Sequence, residues 1–148
     1  MFGPFPRIPR AFWQTRDGVV WIGTLGSGLF RYSHASGTFQ KVQGATAGRG
    51  ALRHLNLTVI RETRDGRLLV GTQGGGLQIH DRSGNWLQTH RANPADPETI
   101  AGNVVLDIAI DAWNRAWIAT TTGLSLFDLR TGRCQTFRYD PNDSTSIS

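Results

Sequence analysis

The chain has 148 residues, room for about one domain with a real core, and its 39% apolar content sets it apart from disordered chains. Eighteen glycines with no collagen period are too many for a helical protein and point to many turns. The formal charge is +5, but the basic residues are arginines scattered from Arg7 to Arg138, with Lys41 the only lysine; they read as solvated surface, not a nucleic-acid patch.

No stretch approaches the ~20 apolar residues of a membrane span. Residues 1–10 hold Pro4, Pro6 and Pro9 and lack the apolar run of a signal peptide. Proline cannot donate to a sheet ladder, so this segment reads as an irregular, extended lead-in.

A first unit spans residues 11–42. A strand over 11–15 turns at Asp17-Gly18, read as a two-residue hairpin, and returns over 19–23. Gly26-Ser27-Gly28 turns the chain into a third strand over 29–32. Ser36-Gly37 turns it into a fourth over 38–42. The glycine-bearing segment 43–55 links to a second unit over 57–90 with the same plan, including Asp65-Gly66 and Ser83-Gly84. A polar linker over 91–103 leads to a third unit over 104–139. There Trp113-Asn114 replaces the Asp-Gly pair, and asparagine is the residue after glycine that best tolerates the left-handed conformation. Residues 140–148 repeat the character of 93–101 and read as the lead-in to a further unit.

The period is fixed. Trp21-Ile22-Gly23-Thr24 returns as Leu69-Val70-Gly71-Thr72 and as Trp117-Ile118-Ala119-Thr120, and the threonines stand 48 residues apart. Four-stranded repeats at this spacing are blades of a β-propeller. The predicted fold is therefore all-β: three four-stranded antiparallel blades, a partial propeller.

The run Arg16-Asp17-Gly18-Val19-Val20-Trp21-Ile22-Gly23-Thr24, followed by Gly28-Leu29-Phe30-Arg31-Tyr32 and Ser36-Gly37-Thr38-Phe39, resembles the two-component regulator propeller repeat, as does Asp140-Pro141-Asn142-Asp143. The resemblance implies an extracytoplasmic sensor propeller of a bacterial membrane receptor with a histidine kinase or diguanylate cyclase output. It places such a segment in the periplasm; taken as a whole gene product, the chain would stay in the cytosol. Ala119 in place of glycine, Trp113-Asn114 and Cys134 are departures in the third unit.

Two functions compete: a non-catalytic sensing or docking module, and a propeller enzyme of the lyase or glycosidase kind. An enzyme needs His and carboxylates converging on one face, and the linkers supply only His54 and Glu98 there. Asp107 and Asp111 lie on a strand and its turn and do not read as a glycosidase pair. The glycine runs at 23–28 and 71–76 precede strands and lack a P-loop lysine, so they are turns, not phosphate loops. His34, His54, His80 and His90 show no metal spacing and read as exposed turn and strand-end residues. Cys134 is alone, which excludes an internal disulfide and a cysteine-based zinc site. No metal or other cofactor is expected.

A propeller ligand sits on the face carrying the loops after each second strand and the inter-blade loops. The candidate contacts there are Arg53, His54, Gln73, Asn103 and Thr121. The expected ligand is a small molecule or glycan, with no nucleic acid and no membrane contact by this segment. Thr24, Thr72 and Thr120 read as hydroxyls satisfying loop backbone. Trp21 and Trp117 are expected between blades, and Trp13 and Trp113 exposed as binding anchors. Closed rings have about four to eight blades, so the expected partners are further blades of the parent chain or a second copy. The open flanks are expected around Trp21 and Phe30 and around Trp117 and Phe127.

Overall fold

The structure is a computed structural model, and it describes residues 8–42 and 55–146. Blade 1 is β1 (Pro9–Gln14), β2 (Val20–Thr24), β3 (Leu29–Ser33) and β4 (Thr38–Lys41). Blade 2 is β5 (Leu57–Glu62), β6 (Leu68–Thr72), β7 (Leu77–His80) and β8 (Trp86–His90). Blade 3 is β9 (Val105–Ile110), β10 (Arg115–Thr120), β11 (Gly123–Asp128) and β12 (Cys134–Phe137). Each blade is a four-stranded antiparallel sheet in sequence order. Among the described residues no helix is long and apolar enough to cross a membrane.

The first strands β1, β5 and β9 touch in turn, so the blades fan out from one side. Each carries a bulge at an equivalent place, skipping Arg10, Thr58 and Leu106. A bulge turns one extra residue out of the ladder and re-aims it. Thr58 uses this to donate from Oγ1 to Val105 O of the next blade, at 2.7 Å. Arg10 uses it to reach Gln73 Oε1, also at 2.7 Å.

Two details differ from the sequence reading. β1 begins at Pro9, inside the expected lead-in; it is an edge strand, where a missing N–H costs no ladder bond. The Asp-Gly turns are also longer than two residues. Thr15 N donates to Val19 O (2.9 Å) and Gly18 N to Thr15 O (2.8 Å), which encloses Arg16-Asp17-Gly18 with Gly18 at φ 90°. That is a three-residue loop with its last residue left-handed. Asn114 takes the same place at φ 59°, as its side chain permits.

Alternation along the strands sends one face of each blade to the next. Ala11, Trp21 and Leu29 of blade 1 meet Leu57, Ile60, Leu68 and Val70 of blade 2. Val59, Leu69, Leu77 and Ile79 of blade 2 meet Val105, Ile108, Ala116, Ile118 and Phe127 of blade 3. Fully burying an aliphatic or Phe side chain is worth about 1.5–3 kcal/mol, so these two seams hold the blades together. The glycines before Thr24 and Thr72 allow the close approach. A Cβ on Gly23 would lie 3.0 Å from Leu57 Cβ, and one on Gly71 2.6 Å from Val105 Cγ1. At the equivalent place in blade 3 stands Ala119.

The flanks need correction. Trp21 (1% exposed) and Phe127 (1%) line the inner seams, and Phe30 (7%) is also buried. Trp117 is only half-buried. It occupies Trp21's position in the last blade, so its indole faces outward, stacked on Phe137 at 6.2 Å.

Candidate functional site

The loop after each second strand is built on its threonine. Thr24 Oγ1 donates to Gly28 O (2.7 Å) and accepts from Ser27 N (3.1 Å). Thr72 does the same with Gly76 O and Gly75 N, both at 2.8 Å. Thr120 serves Gly123 O (2.9 Å) and Thr122 N (3.2 Å) in a loop one residue shorter. The constant threonine is thus a loop clamp, as its uniform placement suggested.

The entry residue of the following blade completes the loops of blades 1 and 2. Leu55 O accepts from Gly26 N (3.0 Å) and Gly28 N (3.2 Å). Asn103 O accepts from Gly74 N (3.0 Å) and Gly76 N (2.9 Å). The second-strand loops and the inter-blade segments therefore share one face. Gln73 is exposed on it, holding Arg10 of blade 1. Asn103 sits beside Gln73, but its Oδ1 accepts from Ala92 N (2.8 Å) and its carbonyl is doubly used. It fixes the loops in place. Thr121 is exposed in the blade 3 loop. Arg53 and His54 lie outside the described residues.

A depression of about 380 Å³ lies beside the inter-blade segment, lined by Asn93, Asp96, Thr99, Thr136 and Arg138. Much of its polar lining is already engaged. Asn93 Oδ1 caps Ala95 N, Asp96 Oδ1 caps Glu98 N, and Arg138 donates to Thr122 O and Ala101 O.

The opposite end of the blades carries the hairpin turns and a second depression of about 470 Å³. It is lined by Asp65, Arg67, Trp113, Asn114, Arg115 and Arg130, among others. Trp113 is 76% exposed, as expected of an anchor, and Arg115 lies over its ring at 5.2 Å. Trp13, expected to be exposed, is half-buried under Arg61. The turn of blade 2 forms one wall of this depression. There Arg82 lies over Gly66, within 2.9 Å of where a Cβ would stand, and donates to Asp65 O at 3.3 Å. In blade 3 Leu129 turns into the core instead. Trp113 was legible in sequence; Arg67, Asn114 and Arg130 were not, because only the fold brings two blades' turns together.

The titratable groups are engaged in structure. Asp111 is held at about 2: burial would raise it, but hydrogen bonds from Arg115, Trp113 N and Trp117 Nε1 outweigh that. Asp107 pairs with Arg61 of blade 2 at 3.0 Å. The two carboxylates thus have separate structural partners. Burial pushes the Cys134 thiol up to about 12, so it stays protonated.

The histidines correct the sequence reading. His34 is exposed, edge-on to Tyr32 at 5.0 Å, but His80 is fully buried. Burial lowers its pKa, and the neutral ring donates from Nδ1 to Gly84 O at 3.0 Å. Nε2 lies 3.0 Å from the Gln78 side-chain amide, whose nitrogen must then face the ring. His90 is half-buried, edge-on to Phe127 of blade 3 at 4.7 Å. Among the described residues no group of three or more His, Cys, Asp or Glu could hold a metal ion.

No protein-family model matches the chain, and no curated protein matches it in sequence. Solved structures do. The chain is similar to the extracellular domain of the putative hybrid two component system BT3049 from B. thetaiotaomicron, with TM-score 0.74 and 18% identity over 92% of this chain. It is similar to the extracellular domain of the putative hybrid two component system BT4673 from the same organism, with TM-score 0.71 and 18% identity over 90% of this chain. The chain spans only 19% of either. It is also similar to the computationally designed Ika4 protein, with TM-score 0.62 and 12% identity over 98% of this chain and 79% of that one. The chain is an all-β partial propeller, and its structural neighbours include extracellular domains of hybrid two-component systems, the class to which its repeat motif pointed.

Proposed function

We propose that this chain is a non-catalytic, ligand-sensing or docking propeller segment of a bacterial two-component-type receptor, working in the periplasm. The observation that carries the reading is the likeness of the fold to extracellular receptor domains. The state of the acid–base groups supports it. His80 is buried and neutral, Asp107 is ion-paired and Asp111 is tied into a turn. General acid–base work needs a group poised near the working pH and in reach of substrate.

The ligand, a small molecule or glycan, is placed on the loop face. Gln73 and Thr121 make contacts and Asn103 sets the loops, with Arg53 and His54 as further contacts. The test is titration of the chain with a panel of oligosaccharides and small metabolites. Binding lost in Gln73→Ala and Thr121→Ala but kept in Trp113→Ala supports this face. Binding lost only in Trp113→Ala moves the ligand to the opposite end. Turnover of any panel member would overturn the non-catalytic reading.

A further inference from the structure

The depression at the hairpin-turn end has a lining rich in free hydrogen-bond donors. Asn114 Oδ1 accepts from Arg64 N at 2.9 Å, which leaves its amide nitrogen without a partner among the described residues. Arg67 donates from Nε to Asp65 Oδ2 at 2.8 Å and keeps both Nη groups free. Arg130 is exposed, and its guanidinium bonds nothing among the described residues. The acceptors are mostly engaged. Asp65 takes hydrogens from Thr63 Oγ1 and from Arg67. Asp128 Oδ1 accepts from Arg130 N (2.8 Å) and Thr131 N (3.3 Å), which leaves Oδ2 as the free carboxylate oxygen of the lining. Such a surface calls for a ligand that brings acceptors of its own.

The junction between blades 1 and 2 shows the contrast. There Arg16 Nη2 donates to Thr63 O and Arg64 O, both at 2.7 Å, and Nε to Glu62 Oε1 at 3.3 Å. Arg64 stands at the equivalent place 48 residues on, and its guanidinium makes no such bonds to blade 3. The first junction is closed by its own arginine. The second is left open, with cationic donors unpaired.

Trp113 supplies a flat surface held in place. Asp111 Oδ1 accepts from Trp113 N (2.9 Å) and Arg115 N (3.0 Å), and Oδ2 accepts from Arg115 Nε (2.8 Å). One carboxylate thus fixes both the indole's backbone and the guanidinium lying 5.2 Å from its ring. Trp113 is 76% exposed, so Arg115 leaves the other face open. An indole with a cation on one face favours an electron-rich ring on the other. Groups already fixed in the free protein cost little further ordering on binding.

We propose that this depression is a second ligand site, separate from the loop face, for a small aromatic carboxylate. The ligand's ring stacks on Trp113. Its carboxylate accepts from the Arg130 guanidinium, with Asn114 Nδ2 and the Arg67 Nη groups as further donors. The site stands or falls independently of the loop-face reading.

The test titrates the whole chain with 2-naphthoate and follows the tryptophan indole and asparagine side-chain N–H signals by two-dimensional NMR. Saturable shifts are expected at Trp113 and Asn114. Arg130→Gln should weaken binding about tenfold or more, and Trp113→Ala, read at Asn114, about threefold or more. Both residues are exposed, so each variant should melt within about 3 °C of the parent. Arg31→Gln, which removes the same charge from an exposed position on blade 1, should change the affinity less than about twofold. The neutral 2-naphthamide should bind about tenfold more weakly. Equal binding of acid and amide, equal losses in Arg31→Gln and Arg130→Gln, or full binding in Trp113→Ala overturns the proposal. So does binding lost in Gln73→Ala, which would put the probe on the loop face, or tighter binding of glucuronate than of naphthoate, which would remove the aromatic ring from the ligand.

Discussion

The indole of Trp21 occupies the space where a side chain on Gly84 would have to go. A Cβ built on Gly84 would lie 2.7 Å from both Cη2 and Cζ3 of Trp21, across the seam between blades 1 and 2. Gly84 also sits at φ 92°, so a substituent is strained as well as crowded. Gly84→Ala should cost about 1–3 kcal/mol, the usual range for overpacking. Leucine stands at Trp21's position in blade 2, so Trp21→Leu in the same chain should relieve part of the crowding. A double-mutant cycle by urea denaturation measures this; strictly additive losses would show that the two residues do not compete for space.

The three second-strand positions Trp21, Leu69 and Trp117 are equivalent in sequence and unequal in burial. Trp21→Ala should cost about 3–5 kcal/mol. Trp117→Ala in the chain as it stands should cost less than that, because the half-buried indole gives up only part of its area, its stack on Phe137 and its Nε1 bond to Asp111. Thermal melts of both variants decide it, and equal losses would mean that Trp117 is covered.

His80 makes stability depend on pH in a stated direction. Its folded pKa lies below the ordinary value of 6.5 because burial penalises the charged ring. The unfolded chain therefore takes up the proton first, and stability falls as pH drops below about 6.5 towards the lowered folded value. Above that window the contribution is complete. His90 is lowered in the same sense. His80→Phe, which copies Phe127 at the equivalent position, should flatten the pH profile below about 6.5. Urea midpoints across that range measure it.

Thr72 has an internal control. Its hydroxyl is buried and spans Gly76 O and Gly75 N. Thr72→Val keeps the shape and leaves the Gly75 amide unpaired, while Gly76 O keeps only the Thr72 backbone N–H (3.2 Å), at about 1–3 kcal/mol. Thr121→Val, on an exposed residue of the blade 3 loop, should change stability by no more than about 0.5 kcal/mol. Denaturation of the pair separates a clamp from a bystander.

The repeat made the blades legible because a threonine clamp and a left-handed turn residue are local devices, written in adjacent residues. Thr24, Thr72 and Thr120 could be read as loop hydroxyls, and Asn114 as a stand-in for glycine. The seams could not be read in the same way. Whether Trp21 or Trp117 is buried depends on which blade comes next, and nothing within either strand records it. His80 looked like a strand-end residue, yet its position is that of Phe127, a core residue. Asn103 was read as a ligand contact, and the fold shows both its oxygens committed to neighbouring amides. The opening at Trp113 arises because Leu129 turns inward where Arg82 lies flat, a difference of side-chain direction.

The shared carbonyls of Leu55 and Asn103 give the array a direction. Gly26 and Gly28 have their amide hydrogens guarded by blade 2's entry residue, and Gly74 and Gly76 by blade 3's. In hydrogen-exchange terms, each pair of glycines reports on the blade that follows it, not the blade it belongs to. Loosening blade 3 would first be recorded at Gly74 and Gly76, with blade 2's own strands still protected. The order in which these amides exchange therefore gives the order in which the blades let go.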